Sequence, residues 1–390
     1  MKNYKRSRKY IIFGGDGLNA LGIVRSLGEI GIKTDIIRVK ESAHFATIEK
    51  SKYVNEVFYG NTSEDLLTIL LQKYGKEILK PIVFFTDEGN EACFDSHYDE
   101  LKDRFICFNA GVENGINNLL RKDVQCKLAT ECGFKVPIYE VLETGILPQN
   151  VPYPVITKTL TSNDGRWKQD MIICHNEDEL KVAYSEIQAK QIMVEEYIEG
   201  TNEVDLKGFS IRGGEQIYFT SLKKWNYKDI EHKWLMYFEP CQNKELKSKL
   251  SNFIRKANYS GIFDAEFMQN SNGELVFLEV NWRTGMYNYN HTVEGINLPY
   301  LWAKSTMDDQ IEEKSIISRP EPYTTMDEIS SFSDVLRHPK LFMKWLKTIR
   351  EADLLYYYNR KDIRPCLTAW RRFVKRKAIN LFRKINVSLR

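Results

Sequence analysis

The stretch Glu266–Arg283, EFMQNSNGELVFLEVNWR, restricts the fold of this chain more than any other. It reads as two apolar strands joined by the turn Asn270-Ser271-Asn272-Gly273. Strand side chains alternate between faces, so Glu279, Asn281 and Arg283 point the same way. Pairing across the four-residue turn brings Glu266 onto that face, beside Asp264. Phe263, Phe267, Phe277 and Leu278 mark both strands as largely buried, and buried acids need a reason. Like charges this close resist ionisation unless a cation neutralises them. Mg²⁺ prefers hard oxygen ligands and sits between carboxylates and substrate phosphates. Arg283 adds a fork suited to a phosphoryl group. The plainer alternative is a surface hairpin with one salt bridge from Arg283.

The residues before this hairpin alternate strand and helix. Strands are expected at Tyr10–Gly14, Lys33–Val39, Val54–Tyr59, Pro81–Phe85 and Arg104–Phe108. Helices are expected at Leu18–Ile30, Ser63–Tyr74 and Glu88–Leu101. Such alternation means an open, mostly parallel sheet, closing near residue 112. A helix from Leu119 to Cys132 follows, then a β-rich block with helices at Asp178–Ala189 and Asn243–Ala257. The last segment, from residue 311, is helix-prone and then basic.

Charge and cysteine content narrow the class. The net charge is +3, but the final 28 residues hold nine Lys or Arg and no acid, which leaves −6 on the rest. A mildly acidic body argues against nucleic acid as a partner. The tail mixes Trp370, Phe373, Leu381, Phe382 and Ile385 with its basic residues. That pattern is a candidate for peripheral contact with an anionic membrane, and equally for packing on the body or for a solvated basic end. Seven cysteines without close metal-type spacing read as reduced thiols of a cytoplasmic protein. The start, MKNYKRSRKYIIFGG, reads as a basic leader feeding a strand, not as a signal peptide. No run of about 20 apolar residues suggests a membrane span.

Other candidates are weaker one by one. Gly15-Asp16-Gly17-Leu18-Asn19-Ala20 fits G-x-G-x-x-[GA] between a strand and a helix. Arg38 and Lys40 stand where a dinucleotide site would want an acid, so a small-anion pocket or a structural turn is the better reading. Lys122 opens a helix and Lys158 ends an apolar strand. The polar loop Thr159–Lys168 contains one glycine and is able to fold over phosphates or to serve as an ordinary connection. Glu195 and Glu203 flank a strand end, and His291 reads as a polar loop residue.

Taken in order, the α/β opening, Lys122, Lys158, the polar loop, Glu195–Gly200, Glu203, Glu266 and Glu279-Val280-Asn281-Trp282-Arg283 resemble the ATP-grasp superfamily of carboxylate–amine ligases. The resemblance spans residues 10–305, and its strongest element is E-x-N-x-R with a glutamate thirteen residues earlier. It implies an ATP-grasp fold of α/β plus α+β character. An N-terminal Rossmann-like parallel-sheet domain (1–112) would precede an ATP-grasp domain (113–310) made of a lid (135–200) and a larger ATP and metal subdomain (200–310). A helical extension with a basic tail (311–390) would follow.

The cofactors implied are ATP and one or two Mg²⁺, with Mn²⁺ as the alternative. Lys122 and Lys158 would hold phosphates. Glu195, Glu196, Tyr197, Ile198 and Met268 would meet adenine, and Glu203 the ribose. Glu266, Glu279 and Asn281 would ligate metal, and Arg283 with Lys158 would serve catalysis. Trp282, where relatives often carry proline, points away from the ligands. Tyr357-Tyr358-Asn359-Arg360-Lys361-Asp362-Ile363-Arg364-Pro365 resembles the Y-x-N-x-K-D-x-x-P of the D-aspartate ligase and envelope or capsule-polysaccharide branch. The activity implied is ADP-forming amide synthesis from a small-molecule or precursor carboxylate and an amine, the alternatives being Mg-ATP binding without ligation, a thiol acceptor or direct phosphotransfer.

Overall fold

A computed structural model describes residues 8–40, 47–226, 233–307 and 321–388. The first seven residues of the basic leader lie outside it, as do the side chains of Leu381, Phe382 and Ile385. The first domain has strands β1 (Tyr10–Phe13), β2 (Thr34–Val39), β3 (Val54–Gly60) and β4 (Ile82–Phe85). Helices α1 (Leu18–Gly28) and α2 (Ser63–Tyr74) connect them. The sheet is parallel, in the order β3-β2-β1-β4. The central strands YIIF and IVFF are apolar throughout and buried, as a parallel sheet covered on both faces requires. Strand order reverses between β1 and β4, so the loops after these two strands flank one crevice. Gly14 lines it at φ +144°, and a Cβ there would collide with Thr86 Oγ1 and Asp87 Oδ2.

Two expectations fail here. The single helix from Glu88 to Leu101 is two, α3 (Glu88–Asp95) and α4 (Tyr98–Leu101). Ser96 Oγ donates to the Ala92 carbonyl, and His97 Nδ1 lies 3.0 Å from that of Cys93, so local side chains take over as α3 ends. Arg104–Phe108 is not a fifth strand. It meets the sheet only through a bridge from Ile106 to Ile82, because Asn109 pairs with Ser260 of the next domain instead.

Short helix α5 (Gly115–Leu119) leads into α6 (Lys122–Glu131), replacing one expected helix with two. A small antiparallel sheet follows, with strands β5 (Tyr139–Glu143), β6 (Val155–Thr159), β7 (Ile173–Cys174) and β8 (Gln191–Glu196) in the order β5-β8-β6-β7. Helix α7 (Glu177–Glu186) backs it through Leu180 and Ala183.

The large sheet runs β13-β12-β9-β10-β11-β14-β15. Its strands are β9 (Gly200–Ile211), β10 (Gln216–Trp225), β11 (Leu235–Glu239), β12 (Gly261–Asn270), β13 (Leu275–Asn281), β14 (Tyr323–Met326) and β15 (Leu354–Leu355). Around it lie α8 (Lys244–Lys256), α9 (Asn288–Glu294), α10 (Leu298–Ser305), α11 (Glu328–Arg337), α12 (Phe342–Glu351) and α13 (Ile363–Ser388). The segment after residue 320, expected as helical, thus adds two strands, the first (YTTM) rich in β-branched and aromatic residues. Leu206, Ala265, Phe267 and Val280 belong to one core that also includes Phe253 and Trp282. Trp282 is fully buried, stacked on Phe253 at 5.9 Å, so it does point away from the acids.

Candidate active site

The hairpin pairs as its alternation requires. Glu266 faces Glu279 and Asp264 faces Asn281 across β12 and β13. A bulge at Leu278 shifts the remaining pairs by one without moving these four. Asn281 Nδ2 donates to Glu266 Oε1 at 2.7 Å. On its other side β12 pairs with β9, setting Glu266 against Asp205, Asp264 against Lys207 and Met268 against Glu203. Lys223 on β10 faces Asp205 in turn. One sheet face therefore carries Glu203, Asp205, Lys207, Lys223, Asp264, Glu266, Met268, Glu279 and Asn281. The opposite face is apolar core.

Two further elements bring cations to this face. Lys122 starts α6, and its backbone N–H donates to the Leu160 carbonyl at the end of β6. That tie holds the start of α6 close to the strand that carries Lys158. The Lys122 ammonium is bonded to Glu279, and Lys158 is paired with Glu195 of β8. Burial raises the Glu279 carboxyl, but Lys122, Lys158 and Arg283 outweigh it and lower the group to about 2. Lys223 Nζ lies 2.7 Å from Glu203 and 2.5 Å from Asp205. Glu196 Oε2 accepts from the Ile138 N–H, and the Tyr197 N–H donates to Pro154 O, which turns the chain through Ile198 after β8.

Arg283 follows β13 and reaches the first domain. Its Nη2 donates to Glu88 Oε1 at 3.1 Å, and Ser162 of the polar loop bonds the other oxygen of Glu88. Glu88 thereby joins three separate parts of the chain at the mouth of the β1–β4 crevice. Near it, Glu91 is fully buried, with no hydrogen-bond partner on either oxygen among the described residues, and burial pushes it well above the usual carboxylate range. In the loop, Lys168 lies over the Trp167 ring at 4.7 Å.

The acids fit a divalent ion. Oxygens of Asp205, Asp264 and Glu266 lie within 4.8 Å of one another. Asp205 and Asp264 each give one oxygen to a lysine, while their Oδ1 atoms are buried without a partner among the described residues. Burial and the neighbouring Asp205, Glu279 and Asp264 push Glu266 well above its ordinary value. Burial also lifts Asp205 to about 7, against the pull of Lys223 and with Asp264 adding to the rise. A divalent cation would relieve this crowding. Sequence spacing had not singled out Asp205, Lys207 or Lys223, although the alternation E-V-D-L-K over 203–207 was a visible signal.

His291, expected in a loop, is instead fully buried in α9 and lies 3.3 Å from Glu294 Oε2. Glu294 also accepts from Ser221 and Tyr323. This is a satisfied core network.

Residues 127–293 match the ATP-grasp domain model. The chain is 22% identical over 384 residues to the D-aspartate ligase of Enterococcus faecium, covering 91% of this chain and 89% of the relative. It is 23% identical over 295 residues to the 2-oxoglutarate carboxylase small subunit of Hydrogenobacter thermophilus, covering 70% of this chain and 61% of that one. It thus spans less than two thirds of the carboxylase subunit's length. The N5-carboxyaminoimidazole synthetase of Staphylococcus aureus, solved with ADP, superposes with a TM-score of 0.63 at 16% identity, over 83% of this chain and 84% of that one. By domain match, sheet order and the clustering of acids with lysines and arginine, residues 127–293 of this chain carry an ATP-grasp domain.

Proposed function

We propose that the protein is an ADP-forming ligase that joins a substrate carboxylate to an amine. A carboxylate resists attack because its charge repels nucleophiles and oxide leaves poorly. In the proposed reaction a carboxylate oxygen attacks the γ-phosphorus of ATP, the bridging P–O bond breaks and ADP departs. The amine then attacks the acyl carbon, the C–O bond breaks and phosphate leaves. Phosphoryl transfer of this kind depends on positioning and on neutralising spread negative charge.

The chain has groups for each task. Lys122 and Lys158 exchange their carboxylate partners for phosphate oxygens. Glu195, the Glu196–Ile198 backbone and Met268 take the adenine, and Glu203 takes the ribose. Glu266, Glu279 and Asn281 hold the metal, and Asp205 and Asp264, whose oxygens cluster with that of Glu266, complete the ligand set. When bound, Mg²⁺ neutralises phosphate charge. Arg283 steadies the group in transfer, and its present bond to Glu88 supports a carboxylate guest at that point. The substrate enters the crevice between the glycine turn and Asp87-Glu88.

A single observation carries this reading: Glu266, Glu279 and Asn281 lie in register on one strand face, with Arg283 next and Lys122 already on Glu279. The D-aspartate ligase likeness across most of the chain supports an amino-acid or envelope-precursor substrate. The test is a matrix of carboxylates against amines read as ADP and phosphate release. D- and L-amino acids, muropeptide precursors, uronic acids and bicarbonate come first. ADP release that needs both partners is expected. Transfer of phosphate to a single acceptor, kept in the product mass, would replace ligation with phosphotransfer.

The reading extends to a cytoplasmic enzyme touching the inner face of a membrane. Among the described residues no helix is long and apolar enough to cross one. The exposed stripe of α13 holds Ile363, Leu367 and Val374 between Arg364, Arg371 and Lys375. Vesicle co-sedimentation of the wild type and of Arg371→Glu/Lys375→Glu checks it, and equal binding by both ends the idea.

A further inference from the structure

A second cavity, of about 430 Å³, lies where the glycine turn of the first domain meets α11 and α13. Its polar lining includes Asp16, Ser330, Ser333, Arg337, Arg372 and Arg376. It shares no residue with the acidic sheet face. The volume falls within the range of small-molecule sites, about 300–1,000 Å³.

The charge is unbalanced in a definite way. Asp16 is committed: Oδ1 accepts from the Ile48 N–H at 2.8 Å, and Oδ2 from Thr47 N–H at 2.9 Å and Arg372 Nη1 at 3.1 Å. Its side chain is 2% exposed, so it is a fixed part of the wall. Among the described residues Arg337 is ion-paired with Asp334 alone, at 3.6 Å, in a pair whose arginine is 67% exposed and which holds it weakly. Three guanidinium groups against one carboxylate leave the lining two charges positive. Guanidinium forks match tetrahedral and planar oxyanions, and Ser330 and Ser333 add hydroxyl donors. Leu21 and Phe373 supply an apolar wall beside them. A dianion with an organic body suits all of these at once.

We propose that this cavity binds the phosphate group of a small phosphorylated molecule, at a site separate from the nucleotide. The glycine turn contributes one wall and the C-terminal extension contributes the cations, so the site exists only when the two are docked. Phosphate of this kind comes either from a soluble monoester or from a lipid headgroup.

The experiment uses the full chain with Mg²⁺ and a non-hydrolysable ATP analogue at saturation. Calorimetric titration with inorganic phosphate and phenyl phosphate, and sedimentation with vesicles carrying phosphatidate or only phosphatidylcholine, form the arms. Phenyl phosphate or phosphatidate is expected to bind, and Arg337→Ala/Arg376→Ala to weaken that binding at least tenfold. Circular dichroism and binding of the ATP analogue confirm that the variant is folded. The free ester binding alone identifies a soluble ligand, and the vesicle alone a headgroup. Failure of every phosphate probe, or binding unchanged in the folded double variant, overturns the proposal.

Discussion

Glu279 illustrates how one side chain serves two states. With Lys122 as its partner it is kept ionised despite burial, and in the proposed complex it turns to the metal. Glu279→Gln keeps the shape and a hydrogen-bond acceptor for Lys122 but removes the charge. Loss of one such electrostatic contact costs about 10²–10³ in rate, or roughly 3–4 kcal/mol. ADP release should fall by that factor with the circular dichroism spectrum unchanged, and near wild-type turnover would discard the metal role. Spacing alone pointed to Glu279, because i and i+2 on a strand share a face and Arg283 continues the series. Spacing did not reveal Lys122 as its partner, since 157 residues separate them.

The decisive element is β9, which joins β12 to β10. The hairpin was legible because its strands are adjacent in sequence and its turn fixes their register. The β9–β12 register links residues some sixty positions apart and depends on which strand pairs with which, so Asp205 and Lys207 stayed hidden. The strand expected at 104–108 failed for a related reason: an apolar run does not say which neighbour it will pair with.

Asp205 also sets a pH dependence. Burial holds its carboxyl near 7, and a metal ligand must be deprotonated. Protons therefore compete with Mg²⁺ at Asp205 below that value, and at the raised Glu266 as well, so affinity should rise with pH. The slope expected below the pKa is about tenfold per pH unit for each proton displaced. Mg²⁺ titrations of nucleotide-analogue binding at pH 6, 7 and 8 measure it, and a flat profile would remove Asp205 from the ligand set.

Across the whole molecule, the C-terminal extension is clasped to the first domain by Arg25 and Asp362. Arg25 Nε lies 3.3 Å from Asp362 Oδ2, and its other nitrogens donate to the carbonyls of Tyr356, Tyr357 and Asp362. Asp362 also accepts from Ser51 Oγ and the Lys52 N–H. The Tyr357–Pro365 motif was visible in the sequence, but its work as an anchor depends on a partner in α1. Both side chains are 1% exposed, so Asp362→Ala would strand a buried guanidinium. A loss of about 3–5 kcal/mol is expected, read as a lower denaturant midpoint. A midpoint within error of wild type would show the clasp to be idle.

The pairing of the site lysines has one last effect. The ammonium groups of Lys122, Lys158, Lys207 and Lys223 each already hold an acid, so on the proposed reading a triphosphate would have to pry pairs open. Glu279, set loose from Lys122, would then be a better seat for a doubly charged ion, and an ion seated there would leave Lys122 readier for phosphate. On the proposed reading the nucleotide and its counterion would therefore recruit each other, and by reciprocity each would tighten the other's hold by the same factor.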